Sequence, residues 1–279
     1  MNLITLGCSW VYGIGSYYDA ENPIDKATYR AKFKKQGVRG DYVDDTCWRL
    51  KLCNELNLTN INISKGGSSN QSQFRRATKY FAENEVDWEN TAVLWGITSI
   101  YRDELWFNRL NSYSSVSFNQ AKHDPTNRLR EREKTGFDTF AYFKEHFDEK
   151  VFLRDLTNNI LHWQHYFDAL GVPYAFFETL NTTGVIPNPA LEEDMCTTLA
   201  RRNGWHGNKD KFHFSDWFDD CHRIDLLQRK GMVNPHSFHP TVQGNIDIVK
   251  FMKPIVERML YTEMAYKEMK NGSDGSTKS

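Results

Sequence analysis

The chain has 279 residues, of which 39% are hydrophobic and 25% charged, with a formal net charge of -1. This composition suits one enlarged globular domain or two, and the charge balance excludes a molecule drawn as a whole onto a polyanion or an anionic membrane. No apolar run approaches the roughly 18 residues of a membrane-spanning helix, and no basic segment followed by an apolar run marks a signal peptide.

Asn2 to Leu6 is a short apolar run that stops at Gly7, which predicts a strand followed at once by a turn. Gly13 and Gly15 predict a loop, and residues 16–42 an insertion over the functional face. The basic residues in that stretch, Lys26, Arg30, Lys32, Lys34, Lys35 and Arg39, read either as solvated surface or as a phosphate patch without an accompanying motif. Asp44 or Asp45 is placed to cap a helix running to about Leu56, with Trp48, Leu52 and Leu56 on its buried stripe. Thr59 to Ile63 predicts a second strand, Gly66-Gly67 a tight turn, and Asn70 the cap of a helix to about Phe81. Thr91 to Trp95 is apolar almost throughout, as a strand covered on both faces should be, and Gly96 is expected to end it.

Residues 102–150 show no clean period and predict a second, partly helical insertion. From Val151 to Leu170 the helical pattern returns through Phe152, Leu156, Ile160, Trp163 and Phe167, and Gly171 fits its C-terminal stop. Val172 to Phe177 predicts a fourth strand, and residues 181–231 a third insertion. The last helix is expected to begin near Thr241. Pro254 predicts a kink or a restart within it, because a proline inside a helix costs about 3 kcal/mol. Residues 271–279 are Gly/Ser-rich and are expected to be disordered.

Alternating strands and helices joined by right-handed crossovers give a three-layer α/β/α fold with a mostly parallel sheet, here as one domain over residues 1–270. Ligands bind such sheets beyond the carboxyl ends of the strands. Ser9, the 66–70 turn and the Gly96–Ser99 turn all follow strands, so they are expected to converge on one face.

Four segments on that face carry chemistry-bearing residues. In Gly7-Cys8-Ser9 a hydroxyl can stand exposed at a strand end, with Cys8 either a rival nucleophile or a small residue packed inward. Gly66-Gly67-Ser68-Ser69-Asn70 reads as a turn before a capped helix, as a source of backbone N–H donors, or as both. After Gly96, Thr98 or Ser99 offers a hydroxyl donor or a cap, while Arg102 and Glu104 bind substrate or pair with each other. In His236-Ser237-Phe238-His239-Pro240, the proline restricts the backbone after His239, which makes that imidazole a general-base candidate. His236 either orients His239 or contacts substrate.

Taken together, the four segments resemble the blocks of the SGNH (GDSL-type) hydrolases, in a divergent form closest to phage and bacterial members. Gly7-Cys8-Ser9-Trp10-Val11-Tyr12-Gly13 looks like the first block, which usually reads Gly-Asp-Ser. Asn62 to Asn70 with Gly67 is similar to the second, Val93 to Ser99 to the third, and His239-Pro240 with Gly244 to the last. The likeness covers residues 1–100 and about 151–261 and leaves out the insertions. It implies a flavodoxin-like architecture and ester or acyl-group hydrolysis. Ser9 would be the nucleophile, His239 the base, and the Ser9 N–H, the Gly67 N–H and a third-block side chain the oxyanion donors.

Two positions depart from the family pattern. Thr98 stands where the third block carries Asn, and His236 where the last block carries the Asp that orients the base. A backbone carbonyl, or a carboxylate such as Asp219, Asp220 or Asp225, would then have to orient His239. With a sugar or nucleoside hydroxyl in place of water, the same site becomes an acyltransferase. A binding or structural protein on the same scaffold is the non-enzymatic alternative. The expected partner is a small-molecule or glycan ester, with no nucleic acid and no membrane, and the expected location is the cytoplasm, or the host cytoplasm if the chain is viral.

No cofactor and no metal are expected. The chain has no G-x-G-x-x-G and no Walker A sequence, and its five scattered cysteines form no CxxC pair. His206, His213 and His222, near several aspartates, match no zinc spacing, and His162 and His165 read as helix-surface residues.

Overall fold

The computed structural model describes residues 1–14, 16, 18–29, 31, 47–117, 133, 136–179, 212–213, 230–235 and 239–274. The elements follow in chain order. β1 (Asn2–Leu6) leads into α1 (Ser9–Tyr12), a single turn, and then come α2 (Trp48–Glu55), β2 (Thr59–Asn62), α3 (Asn70–Glu83) and β3 (Thr91–Ile97). A hairpin of β4 (Arg102–Phe107) and β5 (Ser112–Ser117) precedes α4 (Thr139–His146) and α5 (Glu149–Leu170). β6 (Tyr174–Glu178), β7 (Phe212–His213) and α6 (Val242–Asp274) complete the series.

The main sheet has the order β2-β1-β3-β6-β7, and every pairing in it is parallel. This is the flavodoxin-like order extended from the middle outward. Alternate residues of the central strands face opposite layers. Ile4, Leu6, Val93, Trp95 and Ile97 pack with Phe74 and Ala77 of α3 and with Ile160 and Phe167 of α5. Leu3, Ala92 and Leu94 pack on the other side with Trp48 and Leu52 of α2 and with Ile248 and Met252 of α6. A constant crossover hand requires this split. The β1-to-β2 connection runs one way along the sheet and puts α2 on one face. The β2-to-β3 and β3-to-β6 connections run the other way and put α3 and α5 on the opposite face.

Several expectations are corrected. β3 does not end at Gly96 but runs on to Ile97, buried throughout. The 102–150 stretch holds an antiparallel hairpin with Arg102 paired to Ser117 and Phe107 to Ser112, backed by α4, whose cap Asp138 accepts from the Phe140 and Ala141 N–H groups. The short β7 extends the sheet inside a stretch expected to lack core elements. α6 neither stops nor restarts at Pro254 but continues to Asp274, into the tail expected to be disordered. Pro254 and Lys250, four residues earlier, are both exposed, so the gap that the proline leaves in the helical hydrogen-bond ladder lies on the outer side of α6. Asp44 and Asp45 lie outside the described residues. Cys47 occupies the cap position of α2 but its side chain does not cap the helix, and Asn245 of α6 serves instead, accepting from the Trp48 N–H at 2.8 Å. Among the described residues no helix is long and apolar enough to cross a membrane.

Candidate active site

Ser9 follows β1 at the carboxyl edge of the sheet. Gly7 allows the tight exit, since a Cβ there would stand 2.3 Å from Val11 Cγ2 and 3.3 Å from the Gly96 carbonyl oxygen. Gly96 is equally constrained, with Val11, Thr179 and Phe177 all within 3 Å of where its Cβ would be. The first turn after β1 thus sits directly on β3, the neighbouring strand across the β1/β3 switch point, where ligands bind in this strand order. Ser9 is 5% exposed, and its carbonyl accepts from the Gly13 and Ile14 N–H groups, both at 3.0 Å.

Cys8 and Cys53 are poor rivals for Ser9. Cys8 is fully buried with its sulfur 3.4 Å from Thr179 Oγ1, so it faces the core. Burial pushes the Cys53 thiol up to about 12, which keeps it protonated.

The 64–70 loop is tied to the end of β1. The Lys65 N–H and the Ser68 hydroxyl both donate to the Gly7 carbonyl, at 3.1 and 3.2 Å. Gly66 lies against Ile14, so close that a Cβ would come within 2.5 Å of Ile14 Cδ1. Gly67 adopts a left-handed φ of 75°, as the expected tight turn demands. Asn70 was expected to cap α3, but Ser69 does so, its hydroxyl accepting from the Ser72 N–H at 3.1 Å. Asn70 instead clamps the third loop. Its Nδ2 donates to the Thr98 carbonyl at 2.7 Å, and its Oδ1 accepts from the Thr98 N–H at 2.9 Å.

That clamp fixes the backbone of Thr98 and leaves its side chain free. Thr98 is fully buried, and its Oγ1 has no hydrogen-bond partner among the described residues. Ser99 is committed locally, accepting from the Tyr101 N–H. Arg102 and Glu104 do not pair with each other. Glu104 takes a two-pronged bond from Arg75 at 2.7 and 2.8 Å, while Arg102 is half-buried at the start of β4 with Nη1 unpartnered among the described residues.

His239 sits on the loop that enters α6. Its carbonyl accepts from the Asn234 N–H at 2.8 Å, and Pro240 bridges to Val233. The Thr241 hydroxyl accepts from the Gly244 N–H at 3.0 Å, closing the first turn of α6. Gly244 is required there, because a Cβ would lie 2.1 Å from the Met232 carbonyl oxygen. His236, Asp219, Asp220 and Asp225 lie outside the described residues, as do the side chains of His206, His213 and His222.

The residues that link these loops are not visible as site residues in the sequence. The Trp48 indole N–H donates to the Trp10 carbonyl at 3.1 Å. Arg49, fully buried, donates to the Val11 and Tyr12 carbonyls at 3.1 and 3.3 Å. These bonds satisfy the carbonyls that a one-turn helix leaves open after Ser9. Asn245 caps α2 through Trp48 and donates to the Pro240 and Thr241 carbonyls at 3.3 and 2.7 Å. A second link runs through the segment after α1, where the Val242 N–H donates to the Tyr18 carbonyl and Gln243 bonds Asp19 and the Ala20 N–H. An arginine in a polar helix start reads as exposed in sequence, so nothing in the pattern signals Arg49.

No family model matches the chain, and no curated protein matches it. Among solved structures, TesA is similar over 93% of this chain and 99% of its own, at 12% identity and a TM-score of 0.39. The psychrotrophic esterase EstA from Pseudoalteromonas sp., in a structure inhibited by monoethylphosphonate, is similar over 97% of this chain and 100% of its own, also at 12% identity and a TM-score of 0.39. Likeness at that distance carries no argument about chemistry. The fold is an α/β sandwich on a parallel sheet by its own strand order and two-sided core.

Proposed function

We propose that the chain is a serine-dependent ester hydrolase of SGNH type, with Ser9 as nucleophile and His239 as its base. The observation that carries the reading is Thr98. A fully buried hydroxyl without a partner among the described residues stands at the end of β3, beside the strand that delivers Ser9, and its backbone is clamped by Asn70. Such a group is costly to bury unless a ligand meets it. The four-part resemblance in the sequence and the ties from the Ser9 turn to the His239 loop through Trp48 and Asn245 point the same way.

In this reading His239 takes the Ser9 hydroxyl proton as the serine oxygen attacks the ester carbonyl. The Ser9 N–H, the Gly67 N–H and the Thr98 hydroxyl hold the negative oxygen of the tetrahedral intermediate. The imidazolium then protonates the departing alkoxide, and an acyl-serine remains. Water, deprotonated by the same imidazole, releases the acid and restores Ser9.

Labelling with a fluorophosphonate tests the assignment. Ser9→Ala is expected to abolish labelling, and His239→Ala to slow it by at least about 100-fold. Unchanged labelling of Ser9→Ala would place the nucleophile elsewhere. An unlabelled wild-type protein that turns over no short acyl ester would reject the hydrolase in favour of a binding role.

A further inference from the structure

We infer that the cleft beside Asn70 is a subsite for a neutral, polyhydroxylated group, that is, for the carbohydrate portion of an ester; this rests on the esterase reading above. The cleft has a volume of about 330 Å³ and lies between the N-terminal ends of α3 and α5, next to Ile100. Both helices start at the carboxyl edge of the sheet, the edge that also carries Ser9 and Thr98. Asn70 forms part of its wall while its amide holds the Thr98 backbone, so the cleft opens directly beside the third loop.

The lining sets the ligand chemistry. Gln71, Asp155 and Asn159 supply polar groups, and Phe74 and Phe152 supply apolar surface. The Gln71 Oε1 is buried with no hydrogen-bond partner among the described residues. Asn159 spends its Nδ2 on the Asp155 carbonyl at 2.8 Å, which leaves its carbonyl oxygen to accept. Asp155 is exposed, with Arg154 against it at 3.5 Å.

A sugar hydroxyl both donates and accepts, which matches side-chain amides and a carboxylate. The C–H faces of a sugar ring match phenyl rings. A long acyl chain would leave the Gln71 Oε1 and the Asn159 carbonyl oxygen without a donor. Among the described residues that line the cleft there is one carboxylate, Asp155, and no lysine or arginine, so an anionic group finds no cation on the described wall.

Two measurements separate failure of the subsite from failure of the chemistry. The first needs no turnover: saturation-transfer NMR on Ser9→Ala with N-acetylglucosamine, xylobiose and octanoate as probes. Transfer to a sugar and not to octanoate is expected, and a combined Asp155→Leu, Asn159→Leu variant should lose it. Transfer to octanoate alone, or sugar transfer unaffected by the double variant, overturns the inference. The second compares acetylated xylobiose with 4-nitrophenyl acetate. The double variant is expected to lose about tenfold or more in kcat/KM on the sugar ester and to keep its rate on the small ester, because only the former places hydroxyls against the changed groups. Equal losses on both esters overturn the subsite. Fluorophosphonate labelling of the wild type reports on the esterase reading separately.

Discussion

Thr98 buries a hydroxyl that bonds nothing among the described residues, while its backbone is gripped on both sides by one amide. Left unmet, such a group costs folding about 1–3 kcal/mol. Thr98→Val keeps the β-branched shape and removes that cost, so the variant is expected to match or exceed the wild type in urea denaturation. Its kcat on a short ester should fall about 100-fold with KM nearly unchanged, because the lost bond forms only as the oxyanion develops. An unaltered kcat would remove Thr98 from the oxyanion site. The placement of Ser9, Gly67 and Thr98 in turns after strands, and of His239 before a helix, is legible in the sequence because glycine or proline shapes each turn. The job of Asn70 is not. Ser69 and Asn70 are adjacent and both suit a cap, and only the neighbouring strand end decides that Ser69 caps while Asn70 reaches across.

The β4–β5 hairpin shows where element-level reading fails. Its second strand, Ser-Tyr-Ser-Ser-Val-Ser, offers one buried residue, Val116, so hydrophobic alternation is nearly silent. Its stability comes from cross-strand and third-party contacts: Trp106 against Tyr113, Arg75 over the Tyr113 ring, and Ser115 accepting from the Ser69 N–H of the site loop. Asp103 is the strained member. Burial raises its pKa above the usual 3.8, against the opposing effect of the Tyr142 hydroxyl, which donates to it at 2.7 Å. A carboxyl with a raised folded-state pKa contributes stability that is fully present below its unfolded value and lost as pH climbs through the folded one. In Asp103→Asn the amide oxygen still accepts from the Glu104 N–H, and the amide nitrogen can donate to the Tyr142 oxygen. Thermal denaturation should therefore find the variant more stable than the wild type at pH 7, with that advantage gone near pH 3. An advantage of equal size at both pH values would show that the charge on Asp103 is not what strains the hairpin.

Across the whole molecule, the alternation of period-2 and period-3.6 segments was enough to anticipate a parallel sheet covered on both faces. It could not anticipate β7, whose two residues are too short to carry a period, nor the contacts by which distant segments hold one another. Asn245 is the plainest case. One amide, 1% exposed, caps α2 at Trp48 and holds the Pro240 and Thr241 carbonyls, joining the turn after Ser9 to the loop of His239 across nearly the full chain. In Asn245→Ala the Trp48 N–H loses its acceptor in a buried setting, at an expected cost of about 2–3 kcal/mol in urea denaturation. A purely structural role predicts that loss and nothing more in the folded protein. A positioning role predicts that, well below the unfolding transition, fluorophosphonate labelling of Ser9 slows as His239 drifts from proton-transfer reach. The pH midpoint of labelling should stay where the wild type has it, since the imidazole is displaced rather than chemically altered. Asn245→Ser, which restores a short acceptor for Trp48 but cannot span to both carbonyls, should recover stability before it recovers labelling. If the two return together, the His239 loop does not depend on this amide for its placement.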